Sequence, residues 1–298
     1  MMNDKCEVLE NKLVAPGHFV LTFRSKKIAG SAKPGQFVQI QCGDSSAFDP
    51  LLARPFSFFT SRGSEFSILY HVVGKGTGRM SHLRKKDKVS VLGPLGNGFG
   101  VGSELGARSS ELMVLVGGGV GIPPLYHLAE TVLKNKKMKK GNIHVFLGAR
   151  NKSLLLCEKD FKNLGVSLSV ATDDGSRGFK GFVTSLLISF LRPPTSDLRA
   201  CIYTCGPTPM LKAVSRVSGE FLTPCEVAVE VPMACGFGAC LGCAIKVKNQ
   251  KSVVSSQKSA GKMPNSDYRL PITNSLDYRF AIACTEGPVF QGSDILWD

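Results

Sequence analysis

Four cysteines near the C-terminal end carry the most chemistry in this 298-residue chain. Cys235, Cys240 and Cys243 stand in Ala234-Cys-Gly-Phe-Gly-Ala-Cys-Leu-Gly-Cys-Ala244, and Cys284 stands in Ala283-Cys-Thr-Glu-Gly-Pro288. A C-x4-C-x2-C run with one distant cysteine suits a [2Fe–2S] cluster, in which four thiolates must converge on two irons. Three of them come from one tight loop whose amides must pass close to the bridging sulfides. Gly236, Gly238 and Gly242 remove side chains that would block that approach. The competing reading of the same residues is a structural zinc site with four cysteine ligands. A one-electron centre would make the chain an electron carrier.

Five further strings of residues could hold nucleotides. Arg54-Pro55-Phe56-Ser57 places a guanidinium three residues before a hydroxyl on a strand pattern. The guanidinium can pair with a pyrophosphate, and Ser57 can then reach a flavin ring near N5; an ordinary strand reads the same way. Gly74-Lys75-Gly76-Thr77-Gly78 follows, a glycine turn opening a helix, with a plain capped turn as its alternative. Gly117-Gly118-Gly119-Val120-Gly121 follows an apolar strand, and Pro123 and Pro124 suit a first helical turn. Ile122 breaks the strict G-x-G-x-x-G pattern, yet strand, glycines and helix in that order point to dinucleotide binding. Cys205-Gly206-Pro207 ends a later strand, where ligands of open α/β sheets bind. There the thiol lines a nicotinamide pocket or is simply packed. Asp173 and Asp174 follow another strand and would bond ribose hydroxyls and repel a 2′-phosphate, which favours NAD over NADP. Arg150 argues the other way, and turn formation explains the same two residues without a ligand.

The elements that position these residues fall into three zones. Residues 1–106 read as short β-strands at Phe19–Phe23, Gln36–Ile40, Pro55–Thr60, Phe66–Val73 and Lys88–Leu92, separated by Gly/Pro turns. They predict a small antiparallel barrel with one helix from Thr77 to about Lys85. Residues 107–222 alternate strands (Leu112–Val116, Ile143–Leu147, Leu168–Ala171, Cys201–Tyr203) with helices. Leu125, Leu128, Ala129, Val132 and Leu133 form a helical stripe, so this zone predicts a parallel-sheet α/β domain. Residues 223–298 predict a small cluster domain, fed by a strand at Val227–Val231 and carrying a polar insertion at about 246–267.

Composition narrows the classes. Hydrophobic content is 43% and no apolar run is long enough to span a bilayer. Ten cysteines without a signal-peptide core predict ligand thiols in a reducing cytoplasm. The net charge of +14 is dispersed without an aromatic-interleaved stripe, so nucleic acid is not the expected partner.

Taken together, Arg54-Pro-Phe-Ser57, Gly76-Thr77, Gly117-Gly-Gly-Val-Gly121 and Cys205-Gly-Pro207 resemble the ferredoxin–NADP reductase superfamily. The four cysteines, with Glu286-Gly-Pro-Val-Phe290, narrow the resemblance to the electron-transfer subunits of type B dihydroorotate dehydrogenase. That resemblance implies FAD between an NAD domain and a [2Fe–2S] domain. It also implies an FMN-containing catalytic partner in a heterotetramer. Electrons from dihydroorotate, in pyrimidine biosynthesis, would pass through the cluster and FAD to NAD+. By the same resemblance Arg54 to Ser57, Leu69-Tyr70-His71 and Gly76-Thr77 hold FAD. One departure from the family is the stretch of 40 residues between Cys243 and Cys284. Two other readings stay open: an NAD(P)H reductase module of another complex, such as a hydrogenase, sulfide dehydrogenase or ferredoxin reductase, and a non-redox scaffold with structural zinc.

Overall fold

The computed structural model describes residues 2–43, 49–100, 112–192, 199–249 and 277–297. Six antiparallel strands close a barrel: β1 (Met2–Ala15), β2 (His18–Arg24), β3 (Phe37–Ile40), β4 (Arg54–Arg62), β5 (Glu65–His71) and β6 (Lys88–Leu95). Their order is β1-β2-β5-β4-β3-β6. Inward residues such as Leu21, Phe23, Ile40, Phe58, Phe66 and Val91 fill the barrel. Burying each such side chain contributes about 1.5–3 kcal/mol.

Two short helices flank the strands. Helix α1 (Lys26–Ser31) starts at Ser25, whose hydroxyl accepts from the Ile28 amide at 3.3 Å. Helix α2 (Lys75–Met80) starts two residues earlier and ends five earlier than the sequence pattern predicts. The chain turns instead, with Lys86 at φ 79° and the Asp87 carboxylate accepting from the Arg84 amide at 2.7 Å.

The second layer is a seven-stranded sheet. Along the chain come β7 (Leu112–Gly118), α3 (Ile122–Lys134), β8 (Ile143–Ala149), α4 (Glu158–Leu164), β9 (Ser167–Thr172), β10 (Phe179–Lys180), α5 (Val183–Leu191), β11 (Ala200–Cys205), α6 (Thr208–Glu220) and β12 (Cys225–Ala228). They pair in parallel in the order β10-β9-β8-β7-β11-β12. The chain winds from β7 toward β9 on one side, and β11 joins on the other. The switch point therefore lies beyond the C-terminal ends of β7 and β11. Helix α3 covers one face and packs on the barrel, with Tyr126 against Phe59 at 5.1 Å between ring centres. The Arg62–Glu130 ion pair joins the same two elements. Helices α5 and α6 cover the other face. Among the described residues no helix is long and apolar enough to cross a membrane.

The C-terminal segment adds an antiparallel pair, β13 (Ala244–Lys248) with β14 (Tyr278–Ile282), and then β15 (Val289–Gln291). Three sequence expectations need correction here. Strand β12 starts at Cys225 and ends at Ala228, and Val229–Val231 leave the ladder to line a cleft. The expected boundary at 222/223 falls within one sheet, because β12 is part of it and β15 pairs antiparallel on its edge. Lys246–Lys248, expected in the insertion, lie in β13, and residues 250–267 fall outside the described residues. The expected 106/107 boundary also lies outside them.

Candidate functional site

A cleft of about 450 Å³ opens between the barrel, the parallel sheet and the segment leading to the cysteines. From the barrel it is lined by Arg54, Pro55, Phe56 and Ser57 of β4, by Leu69, Tyr70 and His71 of β5, and by Gly76 and Thr77 of α2. From the sheet come Val120, Gly121 and Cys205. Val229, Glu230 and Met233 close the third side.

On the barrel side, Nη1 of Arg54 donates to the Leu52 and Ala53 carbonyls at 2.7 and 3.2 Å. Its Nε lies only 3.6 Å from where a Cβ on Gly76 would stand, so the guanidinium rests on the first turn of α2. The Thr77 hydroxyl accepts from the Val73 and Gly74 amides at 2.9 and 3.2 Å and so holds that turn closed. The turn's remaining amides have no intrahelical partner. A guanidinium beside such amides has the chemistry to take a diphosphate.

Tyr70 is committed elsewhere. Its hydroxyl donates to Asn11 Oδ1 at 3.2 Å, and burial pushes its pKa up to about 12. His71 stacks flat on His18, with ring centres 4.2 Å apart, and Gly17 lies against its edge.

On the nucleotide side two loops touch through glycine. A Cβ on Gly121 would stand 2.4 Å from the Gly206 amide nitrogen, and Gly206 itself has φ 158°. Gly118 packs against Met210 and Pro207, and Gly117 against Leu125 and Ile122. Only Gly119 of this run faces open space. The glycines thus serve mainly to bring the β7 and β11 ends together, and they leave one position where a ligand can approach the backbone.

Cys205 is buried at the cleft wall. Burial pushes its thiol up to about 12, with the Glu230 carboxyl adding to the shift and the Gly206 amide opposing it. It stands there as a neutral thiol. Burial also raises the Glu230 carboxyl. Sequence reasoning missed Glu230; an acid inside the apolar run Val227–Val231 was the available signal.

Asp173 and Asp174 do not line the cleft. They follow β9, two strands from β7, or about 10 Å at the usual strand spacing. Asp174 Oδ1 accepts from the Ser176 amide at 2.9 Å and its hydroxyl at 2.6 Å, and these bonds hold its pKa low. Asp174 is therefore a turn-former in this structure, and Asp173 beside it is exposed.

The four cysteines come together. The Gly238 amide donates to Cys284 Sγ at 3.1 Å, and the Cys284 amide donates to Cys243 Sγ at 3.4 Å. The Cys240 amide donates to Cys235 Sγ, and the Gly242 amide to Cys240 Sγ, both at 3.5 Å. Gly236 and Gly238 adopt φ 81° and 87°, which turns these amides toward the sulfurs. The long gap before Cys284 is closed by register: Ala244 pairs with Ile282, and the Ala283 amide donates to the Cys243 carbonyl at 3.1 Å.

The sulfurs are linked as two pairs, Cys235 with Cys240 and Cys243 with Cys284. Among the described residues no three His, Cys, Asp or Glu side chains stand in position to hold one metal ion together. Burial tends to raise Cys235, but amides of Cys240, Phe237 and Ala239 hold it down to about 6. Burial and the adjacent Cys243 thiol push Cys284 up to about 12. Such a buried thiol gives up its proton when a metal supplies the compensating charge. Two paired sulfur sites with amides aimed at them fit a binuclear iron–sulfur centre. Phe37 connects this centre to the cleft, since it lines the cleft and packs with Cys243 and Cys284. No sequence signal singled it out.

Residues 115–216 match the profile of the oxidoreductase NAD-binding domain. Residues 230–259 match that of the iron–sulfur cluster binding domain of dihydroorotate dehydrogenase B, a span holding Cys235, Cys240 and Cys243. The chain is 36% identical to the dihydroorotate dehydrogenase B (NAD(+)) electron transfer subunit of Desulforamulus reducens, over 98% of this chain and 97% of the relative. It is 33% identical to the same subunit of Caldanaerobacter subterraneus, over 98% of both chains. A solved NADH-dependent reduced ferredoxin–NADP oxidoreductase superposes with a TM-score of 0.75 at 27% identity, over 99% of this chain and 90% of that one.

Proposed function

The chain belongs to the family of dihydroorotate dehydrogenase B electron transfer subunits, and from that premise we propose that it carries electrons from the FMN of a catalytic dihydroorotate dehydrogenase subunit to NAD+. In this reading Cys235, Cys240, Cys243 and Cys284 hold a [2Fe–2S] cluster, and the cleft holds FAD beside NAD. One observation carries the reading: Phe37 forms a common wall of the cleft and the thiol cluster. Bound FAD exchanges two electrons with nicotinamide as a hydride and single electrons with an iron–sulfur centre.

The chain's own residues bind and orient. Arg54 and the α2 turn take the diphosphate of FAD. Ser57, on the cleft wall, would offer its hydroxyl to the flavin near N5. Leu69 and His71 form the remaining flavin wall, with Tyr70 fixed behind them by Asn11. Val120, Gly121 and the Cys205–Pro207 turn seat the nicotinamide, where the neutral Cys205 thiol adds no charge. Asp173, exposed beside the turn that Asp174 holds, meets the adenosine ribose and sets the preference for NAD. The partner subunit docks on the side of the exposed Cys240 and pairs with this chain as a heterotetramer.

Copurification with an FMN-containing dihydroorotate dehydrogenase subunit, followed by anaerobic addition of dihydroorotate, tests the reading. The expected result is bleaching of both flavin and cluster absorbance, then NADH formation once NAD+ is added, from a complex with two copies of each chain. The structural likeness to the NADH-dependent ferredoxin oxidoreductase supports a second reading, a reductase module serving another electron donor. Reduction by NADH without any response to dihydroorotate in the copurified complex would select it.

A further inference from the structure

Strand β3 stands between the cleft and the cysteines. Its residues alternate. Val38 and Ile40 join the barrel core, whereas Phe37 packs outward with Cys243 and Cys284. Gln39 shares the outward face with Phe37. It pairs with Pro55 of β4 on one side and Leu92 of β6 on the other, and it is only 1% exposed. A buried carboxamide is costly unless its polar atoms are used. Here Nε2 donates to the Met233 carbonyl at 3.4 Å, two residues before Cys235. The next contact is with Gly236, directly after Cys235. A Cβ there would stand 2.6 Å from Gln39 Cγ and 2.9 Å from its Nε2. The side chain thus lies on the backbone of the cysteine loop, in space that only a glycine leaves free. Its Oε1 has no partner among the described residues, so the hydrogen bonding of this amide goes to the loop alone. Packing by itself would be served better by a methionine or leucine, which bring no unmet acceptor.

We propose that Gln39 is a positioning residue that fixes the loop at Cys235 against the strands lining the flavin cleft, and so sets the distance an electron crosses between flavin and cluster. The inference rests on the electron-transfer reading above. Electron transfer falls steeply with separation, whereas hydride transfer between nicotinamide and flavin takes place on the other side of the cleft. Loosening the loop should therefore slow one step and spare the other.

Two variants separate the contributions. Gln39→Met keeps bulk over Gly236 but cannot donate; Gln39→Ala removes both. Stopped-flow mixing of the FAD- and cluster-loaded protein with NADH resolves flavin bleaching from the later cluster bleaching. The flavin step should stay within about twofold in both variants, while the cluster step slows roughly tenfold or more in Gln39→Ala and less in Gln39→Met. The EPR line shape of the reduced cluster should change in Gln39→Ala. In the cluster-free protein, backbone hydrogen exchange at residues 233–238 should rise in Gln39→Ala while β4 and β5 exchange as in the unmodified chain. A cluster step at the unmodified rate in Gln39→Ala overturns the proposal, and so does equal slowing of both steps. If Gln39→Ala does not fold, Gln39→Met decides by the same comparison. Failure of the underlying reading looks different: the unmodified protein would then show no cluster bleaching after NADH.

Discussion

Replacing Arg54 by alanine isolates the flavin-binding contribution of one side chain. Among the described residues the guanidinium bonds the Leu52 and Ala53 carbonyls, at the edge of the cleft. Neither bond holds a distant element, so removing them should cost the barrel little. FAD loses a charge-assisted contact to its diphosphate, about 1.5–3 kcal/mol. That corresponds to a loss of roughly tenfold to a hundredfold in affinity. Arg54→Lys should fall between, because an ammonium keeps the charge but lacks the planar fork. Titration of the FAD-stripped protein, followed by quenching of flavin fluorescence, gives both constants. Thermal melting of the apoproteins checks that the barrel is intact. Unchanged FAD affinity in Arg54→Ala, with an unchanged melting temperature, would show that Arg54 only caps the start of β4 and that the cradle lies elsewhere.

Cys240→Ser should remove the iron–sulfur absorbance and leave FAD bound and reducible by NADH, because Cys240 is exposed on the cysteine loop and does not line the cleft. Retention of the visible iron–sulfur spectrum would exclude Cys240 as a ligand. Flavin reduction should be faster with NADH than with NADPH, and Asp173→Ser with Asp174→Ser should narrow the gap by admitting NADPH. Equal rates in the unmodified chain would assign both aspartates to the turn alone. Stability should also depend on Glu226, whose carboxyl burial pushes up from 4.5 to about 7. Between those pH values the folded chain keeps a proton that the unfolded chain releases, so raising the pH across this window should lower stability by roughly 3 kcal/mol. Denaturant melts from pH 4.5 to 8 should show this fall in the unmodified chain and its loss in Glu226→Gln.

The sequence was most legible where function is local. The cysteine loop, the glycine run after β7 and the Arg54–Ser57 string each lie within a few residues, and the fold places each at a strand end or tight turn. Strand β1 was missed because 14 residues of it carry only Cys6 and Val8 as fully buried side chains. The rest of β1 is half-exposed and charged, so its alternation is weak, and the strand exists because β2 and β6 pair with it. Strand β15 has three residues and no pattern; its place on β12 follows from the chain returning after Pro288. Gln39 and Glu230 are hard to place from sequence for a related reason. Nothing in Phe37-Val-Gln-Ile40 says which face meets the cysteine loop, and nothing in Val227–Val231 says that the strand stops at Ala228.

The distance between Cys243 and Cys284 shows how sequence spacing and spatial spacing part company. Forty residues intervene, and spacing alone makes Cys284 the weakest of the four candidates. Yet the chain leaves β13 and returns to β14 at adjacent points, with the Asn249 amide bonded to the Asp277 carbonyl at 3.1 Å. From there five cross-strand pairs, Lys248–Tyr278 to Ala244–Ile282, carry the register back to the two sulfurs. Lengthening a closed loop is cheap, about 0.6 kcal/mol for each doubling. The ladder can therefore absorb a long connection at its far end while its near end stays fixed. What holds Cys284 in place is the β13–β14 register and the Gly238 amide on its sulfur. A ligand set of this kind is specified by the short strands that flank it, and the length of chain between them is free to vary.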